Sequence, residues 1–356
     1  MKNVFYYANN IYQFSYALPI YNRIGGIFVV RNLDVFLAFK RYFTGLKKFR
    51  EQTLFNTPKV IIRGRDRLHQ LDGILMFISN SIRHQHDYKN CITIFHEHGT
   101  SDKRHGGKYH KEAKKKLNKY DYIMLSGPKN KLKLEEEGLN IPEEKLVPVG
   151  VLRFDKYING EYAIEAELNR LKVMDRSRKN ILYAPTWRFG KGTIKKYGIH
   201  FAEQITQKYN LIIRPHFHDQ KYSHYLKFVT KRIGIKHLYF SNASNLIKQD
   251  TFNDFVVSDL MISDTSGVIY EYLITQKPII IVKNDYKKAN ITPNNMDIRE
   301  HVDFFNEGDD ILQLIEHNLK NHPYQKTYKK MVQDCFYDPN GKSVDRAVKF
   351  IKKLQK

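Results

Sequence analysis

"DLMISDTSGVIYEYL" (259–273) is an apolar run, then a cluster of small hydroxyl residues with one glycine, then the pattern of a helix. Leu260, Met261 and Ile262 do not alternate with polar residues, as expected of a strand buried on both faces. Ser263, Asp264, Thr265 and Ser266 follow, and the helix is expected to begin near Gly267. Strand, Ser/Thr/Gly and helix in that order leave backbone N–H groups free at a helix start, where the peptide dipoles favour a phosphate. Glu271 lies about one turn further on, where a carboxylate could accept ribose hydroxyls. A plain N-cap and a surface glutamate would give the same letters.

The unit recurs on both sides. "NILYAPT" (180–186), "NLIIRPH" (210–216), "HLYFSN" (237–242) and "KPIIIV" (277–282) are further short strands. Upstream, "NVFYYA" (3–8), "GIFVVR" (26–31), "KVIIRG" (59–64), "ILMFIS" (74–79), "CITIFHEHG" (91–99) and "DYIMLSG" (121–127) form an earlier set, with helix-like stretches at 31–50 and 109–119. The alternation predicts βαβ units and mostly parallel sheets. Between the sets runs "EYAIEAELNRLKVMDRSRKN" (161–180), helical and then polar, so the domain boundary is expected near 157–177. The expected organisation is a first domain over 1–157, a second over 177–340, and a basic amphipathic helix over 341–356 that packs back. The fold class is therefore α/β, with two Rossmann-like, doubly wound domains facing a central cleft. Ligands in such sheets bind beyond the carboxyl ends of the strands.

Composition sets the outer limits. At 356 residues, 42% of them hydrophobic, the chain has material for two cores. Cys91 and Cys335 make no disulfide framework, which points to a reducing compartment. "MKNVFYYANNIYQ" does not read as a signal peptide, and no run reaches the roughly 18 to 20 apolar residues of a membrane span. Sixty Lys and Arg against 37 Asp and Glu give +23. Such an excess favours a polyanionic partner: nucleic acid, an anionic bilayer or a phosphate-rich substrate. The chain lacks the aromatic–basic strand and recognition-helix patterns of nucleic-acid readers, so no nucleic acid is expected.

Residues able to do chemistry follow the strands. His98 in "HGT" could take a proton from an alcohol near neutral pH, or simply cap a strand end. In "RPH", Pro215 stiffens the turn, and Arg214 and His216 could meet an anion. "YAPTWRFG" (183–190) ends a strand with Trp187, the only tryptophan, and Arg188. "VGVLRFDKY" (149–157) holds Arg153, a residue type usually found on the surface. "HEH" lacks the spacing of a zinc-binding helix, and no DxD occurs that could hold a divalent ion against a nucleotide diphosphate, so no metal is expected.

"HGT", "GVLRFD", "LYAPTWR", "RPH" and "SDTSGVIYE", in this order over roughly 90–285, resemble the CDP-glycerol glycerophosphotransferase family of teichoic-acid primases and polymerases. The resemblance implies a GT-B fold, a CDP-alditol donor, no metal, and a lipid-linked or polymeric glycan acceptor at the cytoplasmic membrane face. It implies a peripheral enzyme of teichoic-acid-like or capsular polymer synthesis that transfers glycerol phosphate and releases CMP. His98 and His216 match the family's two essential histidines. Gly99, Thr100, Ser101 and Asp102 match the loop after the first. Arg153, Pro185, Thr186, Arg214 and Pro215 match donor contacts, and Ser266 and Gly267 the phosphate-binding helix start. Glu271 stands where the family often has Asp, as a ribose anchor. Ser101-Asp102 replaces the commoner Pro-Leu, and Ser266-Gly267 a Ser pair, which leaves the alditol open between glycerol and ribitol. Of the other histidines, His96 reads as structural, and His105 and His110 as part of a basic stretch. A nucleotide-sugar glycosyltransferase on the same fold is the first competing reading, and a basic nucleic-acid-binding protein, from the charge excess, the second. Oligomeric state is open.

A membrane surface is the expected partner for the charge excess, and a lysine-rich solvated surface the alternative. "RNLDVFLAFKRYFTGLKKFR" (31–50) sets Phe36, Leu37, Phe39, Phe43 and Leu46 among Lys40, Arg41 and other cations, and 108–119 adds Lys114, Lys115 and Lys116. The alternative for 31–50 is an ordinary helix packed on the first sheet.

Overall fold

Alternate residues of one strand enter two different cores, which explains why the strands read as unbroken apolar runs. In β1 (Val4–Ala8), Val4, Tyr6 and Ala8 pack to one side, and Phe5 and Tyr7 to the other. The computed structural model describes residues 1–44, 58–83, 85–97, 99, 100, 105, 110–187, 192–242, 250–284 and 296–356.

After β1 come β2 (Ile27–Val30), β3 (Lys59–Ile62), β4 (Gly73–Phe77), β5 (Cys91–His96), β6 (Tyr122–Leu125) and β7 (Leu146–Pro148). They form one sheet in the order β3-β2-β1-β4-β5-β6-β7. The second sheet has β8 (Asn180–Tyr183), β9 (Asn210–Ile213), β10 (Leu238–Phe240), β11 (Leu260–Ser263), β12 (Ile279–Val282) and β13 (Asp303–Phe305), in the order β10-β9-β8-β11-β12-β13. Every pairing is parallel. Parallel strands need crossovers, and the helices between them cover both faces.

The passage between domains lies earlier than the sequence places it. Val149 and Leu152 pack in the first core, whereas Val151 and Phe154 pack in the second. Helices Phe154–Ile158 and Ile164–Leu171 already belong to the second domain, where Leu168 and Leu171 are buried. The polar letters that read as a boundary at 157–177 include the outer face of that helix, with Glu165 exposed. The chain returns after Phe336, and helix Ser343–Gln355 inserts Ala347, Val348 and Ile351 into the first core. The two crossings touch. Gly150 has φ +85°, and a Cβ there would lie 2.8 Å from Arg346 Nη2, Ser343 Oγ and Tyr337 O, so glycine is required both for conformation and for space. Asp155 accepts the Ser343 and Val344 amides at 3.0 and 2.7 Å, which caps the returning helix.

Helix Leu33–Thr44 packs on the first sheet, as helices of such domains do. Phe39 is fully buried against Phe14 and Phe28, while Leu33 and Leu37 are exposed. Phe39 therefore does not join a membrane-facing stripe with Leu37, because the two point to opposite sides. Lys40 lies 5.6 Å from the Phe36 ring. The side chains of Arg41 and Phe43, and all of Leu46, lie outside the described residues. In helix His110–Lys119, Lys115 is exposed, and Lys114 and Lys116 are half-buried. Among the described residues no helix is long and apolar enough to cross a membrane.

Candidate active site

Each sheet reverses its strand order once, between β1 and β4 and between β8 and β11. Parallel sheets open a crevice at such points, beyond the strands' carboxyl ends.

At the second sheet's reversal, β8 runs into Ala184-Pro185-Thr186 and β11 into Asp264-Thr265-Ser266-Gly267. The buried Asp264 carboxylate joins them. It accepts the Thr186 amide at 2.8 Å, the Thr193 amide and hydroxyl each at 3.0 Å, and the Thr265 amide at 2.6 Å. Burial pushes this carboxyl above its ordinary range, against the pull of those amides. Pro185 and Thr186 are buried, and Ser266 and Gly267 remain partly accessible. The helix they start, Val268–Tyr272, has Gly267 at its N-cap and carries Glu271.

Glu271 does not face water as a surface glutamate would. It is 1% exposed; its Oε2 accepts Arg153 Nη2 at 2.6 Å and its Oε1 accepts the Tyr16 hydroxyl at 3.3 Å. Burial raises the Glu271 carboxyl, and Arg153 opposes that rise. Arg153 is equally buried, correcting the surface placement usual for its type. Its guanidinium stacks 4.3 Å from the centre of the Tyr16 ring and lies 3.1 Å from Asp250 Oδ1. Burial opposes its charge, but Asp250 and Glu271 hold it protonated above its usual range. Arg214 is also buried and donates to Asp254 at 2.5 Å and Ser241 at 3.1 Å; its charge acts on Glu271 as well. Residues expected to reach for a donor thus hold one another within the protein.

The first domain meets this group through the end of β5. Gly99 has φ +115°, and a Cβ there would stand 3.5 Å from the Tyr16 hydroxyl and 3.8 Å from Glu271 Oε1. Tyr16, His96, Glu97, Gly99, Thr100 and Glu271 line one crevice. His98, Ser101, Asp102 and Arg188 lie outside the described residues.

His105 corrects the sequence reading. It does not sit in a solvated basic stretch but is buried between two carboxylates, with Nε2 2.9 Å from Glu97 Oε1 and Nδ1 3.1 Å from Glu137 Oε2. Its amide also donates to Glu137 at 3.0 Å. Burial disfavours the imidazolium, yet the Glu97 charge and both hydrogen bonds raise its pKa. Glu97 immediately precedes His98, so this clamp ties both ends of the "HGT" loop to helix Pro128–Glu136 and its C-cap.

His216 lies elsewhere along the cleft. Its Nδ1 accepts the His218 amide at 3.2 Å, and its ring centre is 6.1 Å from that of Trp187. Tyr12 of the first domain reaches this group, 5.4 Å from the Phe217 ring. Tyr12 and Tyr16 occupy one 3-10 turn, Ile11–Tyr16. Four residues of such a turn span about 8 Å, so one short element touches both halves of the site. Sequence reasoning passed over Tyr12, Tyr16, Asp250 and Asp254. The signal for the tyrosines was their place directly after a strand; the aspartates gave none.

The geometry defines a two-domain α/β protein whose motifs from both sheets meet at one cleft. The sequence profile described as CDP-glycerol:poly(glycerophosphate) glycerophosphotransferase matches residues 39–353, and the chain belongs to that family. It is 28% identical over 224 residues to the teichoic acid ribitol-phosphate polymerase TarK of Staphylococcus aureus, covering 60% of this chain and 42% of the relative. It is 24% identical over 231 residues to the teichoic acid glycerol-phosphate primase of Bacillus subtilis, covering 59% and 54%. The chain thus spans about half the length of these curated relatives. The solved wall teichoic acid polymerase TagF aligns with a TM-score of 0.68 at 16% identity, over 99% of this chain and 88% of that one; that likeness is one of fold, the GT-B arrangement.

Proposed function

We propose that the chain transfers an alditol phosphate, glycerol phosphate first, from a CDP-linked donor to a hydroxyl of a lipid-linked or polymeric glycan acceptor. The observation that supports this is the crevice in which Gly99 and Thr100 of the first domain face Glu271 of the second. In the reaction the acceptor oxygen attacks the β-phosphorus. The bond from that phosphorus to the bridging oxygen breaks, and CMP leaves with the electron pair. His98 takes the hydroxyl proton. His216 and the Ser266 and Gly267 amides stabilise the charge on the departing CMP, with Arg214 acting on them from its buried pair with Asp254, so that catalysis is positioning plus electrostatics. Arg153, Thr186 and Glu271 shape the nucleotide side. The enzyme works at the cytoplasmic membrane face as a peripheral protein, without a metal and without nucleic acid.

The test is CMP release from CDP-glycerol and CDP-ribitol, assayed separately with a lipid-linked acceptor, with and without EDTA. Turnover of a CDP-alditol, unchanged by EDTA, is expected. His98→Ala should lower kcat by about 10²–10⁴-fold while the donor still binds. Release of UDP from a nucleotide sugar, with neither CDP-alditol consumed, would replace this reading by that of a glycosyltransferase.

A further inference from the structure

The other strand-order reversal, between β1 and β4, carries polar and cationic groups that the donor site described above does not use. The Asn9 amide, at the end of β1, donates to Ser79 Oγ at 3.1 Å and Ser81 Oγ at 2.6 Å, both beyond β4. Arg31 follows β2, Arg65 follows β3 and Arg83 follows β4, so all three lie at the carboxyl edge of one sheet. Four contacts tie these loops to one another and to the helix that follows β5. Asp66, next to Arg65, lies 3.0 Å from Arg83 Nε. The Asn80 amide donates to Ala113 O at 3.0 Å, and the Ser81 and Ile82 amides donate to the Tyr120 hydroxyl. These bonds bring helix His110–Lys119, and with it Lys116, over the same loop.

The charges are not balanced. Arg65, Arg31 and Arg83 all act on the buried Tyr7 hydroxyl, whose pKa burial pushes up to about 12 against their pull. Burial and then Arg65 and Arg83 hold Lys116 below its ordinary value, and Glu112 offsets this only in part. Like charges gathered this way disfavour one another until an anion arrives. Arg31, Arg65, Arg83 and Lys116 are partly or fully accessible, so an anion can reach them. From the end of β2 to the end of β5 is three strand spacings, about 14 Å. The strip therefore leads along the sheet edge toward Gly99.

We propose that this edge is a second anion site, which takes a phosphodiester of the acceptor chain and guides its terminal hydroxyl into the Gly99–Glu271 crevice. The inference rests on the reading of the chain as an alditol-phosphate transferase. It assigns the acceptor to the first domain, with Arg65 and Arg83 as its principal contacts. A charge-assisted hydrogen bond from each guanidinium supports about a tenfold effect on affinity.

Calorimetry on the full chain tests it, with a short synthetic glycerol-phosphate oligomer as probe and CDP-glycerol as a separate titration. Arg65→Gln/Arg83→Gln should weaken oligomer binding at least tenfold and leave the CDP-glycerol Kd within about twofold. Arg65→Lys/Arg83→Lys should retain part of the oligomer affinity, which separates lost charge from lost fold. In turnover assays the Gln variant should raise the acceptor KM with little change in kcat. Unchanged oligomer binding in a variant that still binds CDP-glycerol overturns the proposal. So does loss of sedimentation with anionic vesicles while oligomer binding stays intact, since the strip would then be a lipid headgroup site. Absence of CDP-glycerol binding in the wild type would instead strike the transferase reading, with the oligomer titration still deciding the anion site.

Discussion

Arg153 and Glu271 are joined at 2.6 Å with both side chains almost out of water, one on the segment that leaves the first domain and the other inside the second. The Tyr16 hydroxyl adds the first domain's own contact. A buried ion pair gains its value from being complete, and breaking one side leaves an uncompensated charge. Arg153→Ala should therefore lower the unfolding free energy by about 3–5 kcal/mol. Arg153→Met/Glu271→Leu should recover part of that loss. Denaturant titration checks both, and a single-variant loss under about 1 kcal/mol would mean that water reaches the pair.

The His105 clamp predicts a pH signature. Against burial, the Glu97 charge and the hydrogen bonds to Glu137 and Glu97 raise the folded pKa of His105, and the hydrogen bond to His105 lowers that of Glu137. The histidine's contribution is complete below its unfolded value, about 6.5, and is lost as pH rises through the raised folded value. The carboxylate's contribution is complete above about 4.3 and is lost as pH falls through the depressed folded value. The difference in Tm between wild type and His105→Gln should be widest near pH 5 to 6 and shrink as pH rises. A gap that grows with pH would mean that the imidazole is held neutral.

Asp264 should matter for donor affinity without touching the donor. Asp264→Ala removes the acceptor of two buried amides, a buried hydroxyl and the half-buried Thr265 amide. Each buried donor left unmade costs about 1–3 kcal/mol, less whatever local relaxation recovers. Denaturation should show a loss of several kcal/mol, and kinetics a larger change in donor KM than in kcat. Asp264→Asn, which keeps an accepting oxygen, should lie between. Equal stability of Ala and wild type would refute the joint described here.

Membrane association should depend on exposed lysines rather than on a buried apolar stripe. Sedimentation with anionic vesicles at low salt should fall for Lys114→Glu/Lys115→Glu and at high salt for wild type. Phe39→Ala should instead destabilise the fold by about 3–5 kcal/mol. Leu37→Ala should change stability by no more than about 0.5 kcal/mol.

The strands were legible because a strand buried on both faces leaves an uninterrupted apolar run. β7 and β13 escaped notice because neither offers an apolar run, one ending in Pro148 and the other beginning with Asp303, whereas the equally short edge strand β10 is apolar throughout. The domain passage was misplaced because a helix with one buried face shows mostly its polar letters. His105 was misread because the carboxylates that bury it stand eight and 32 residues away, and no local pattern carries such a pairing. Asp155, quoted as part of a motif, owes its place at least in part to capping the returning helix.

That helix has a consequence for how the protein is made. Ribosomes release the first sheet early, and domains generally condense in the order of synthesis. Here the first core waits for Ala347, Val348 and Ile351, which emerge only after every strand of the second sheet. A nascent chain stopped anywhere before residue 343 presents its first domain with an open apolar seam along helix Leu18–Ile24 and β4. Synthesis through helix Ser343–Gln355 is therefore a condition for closing the earlier half, and chains that stop short of it carry a mark that chaperones and proteases can read.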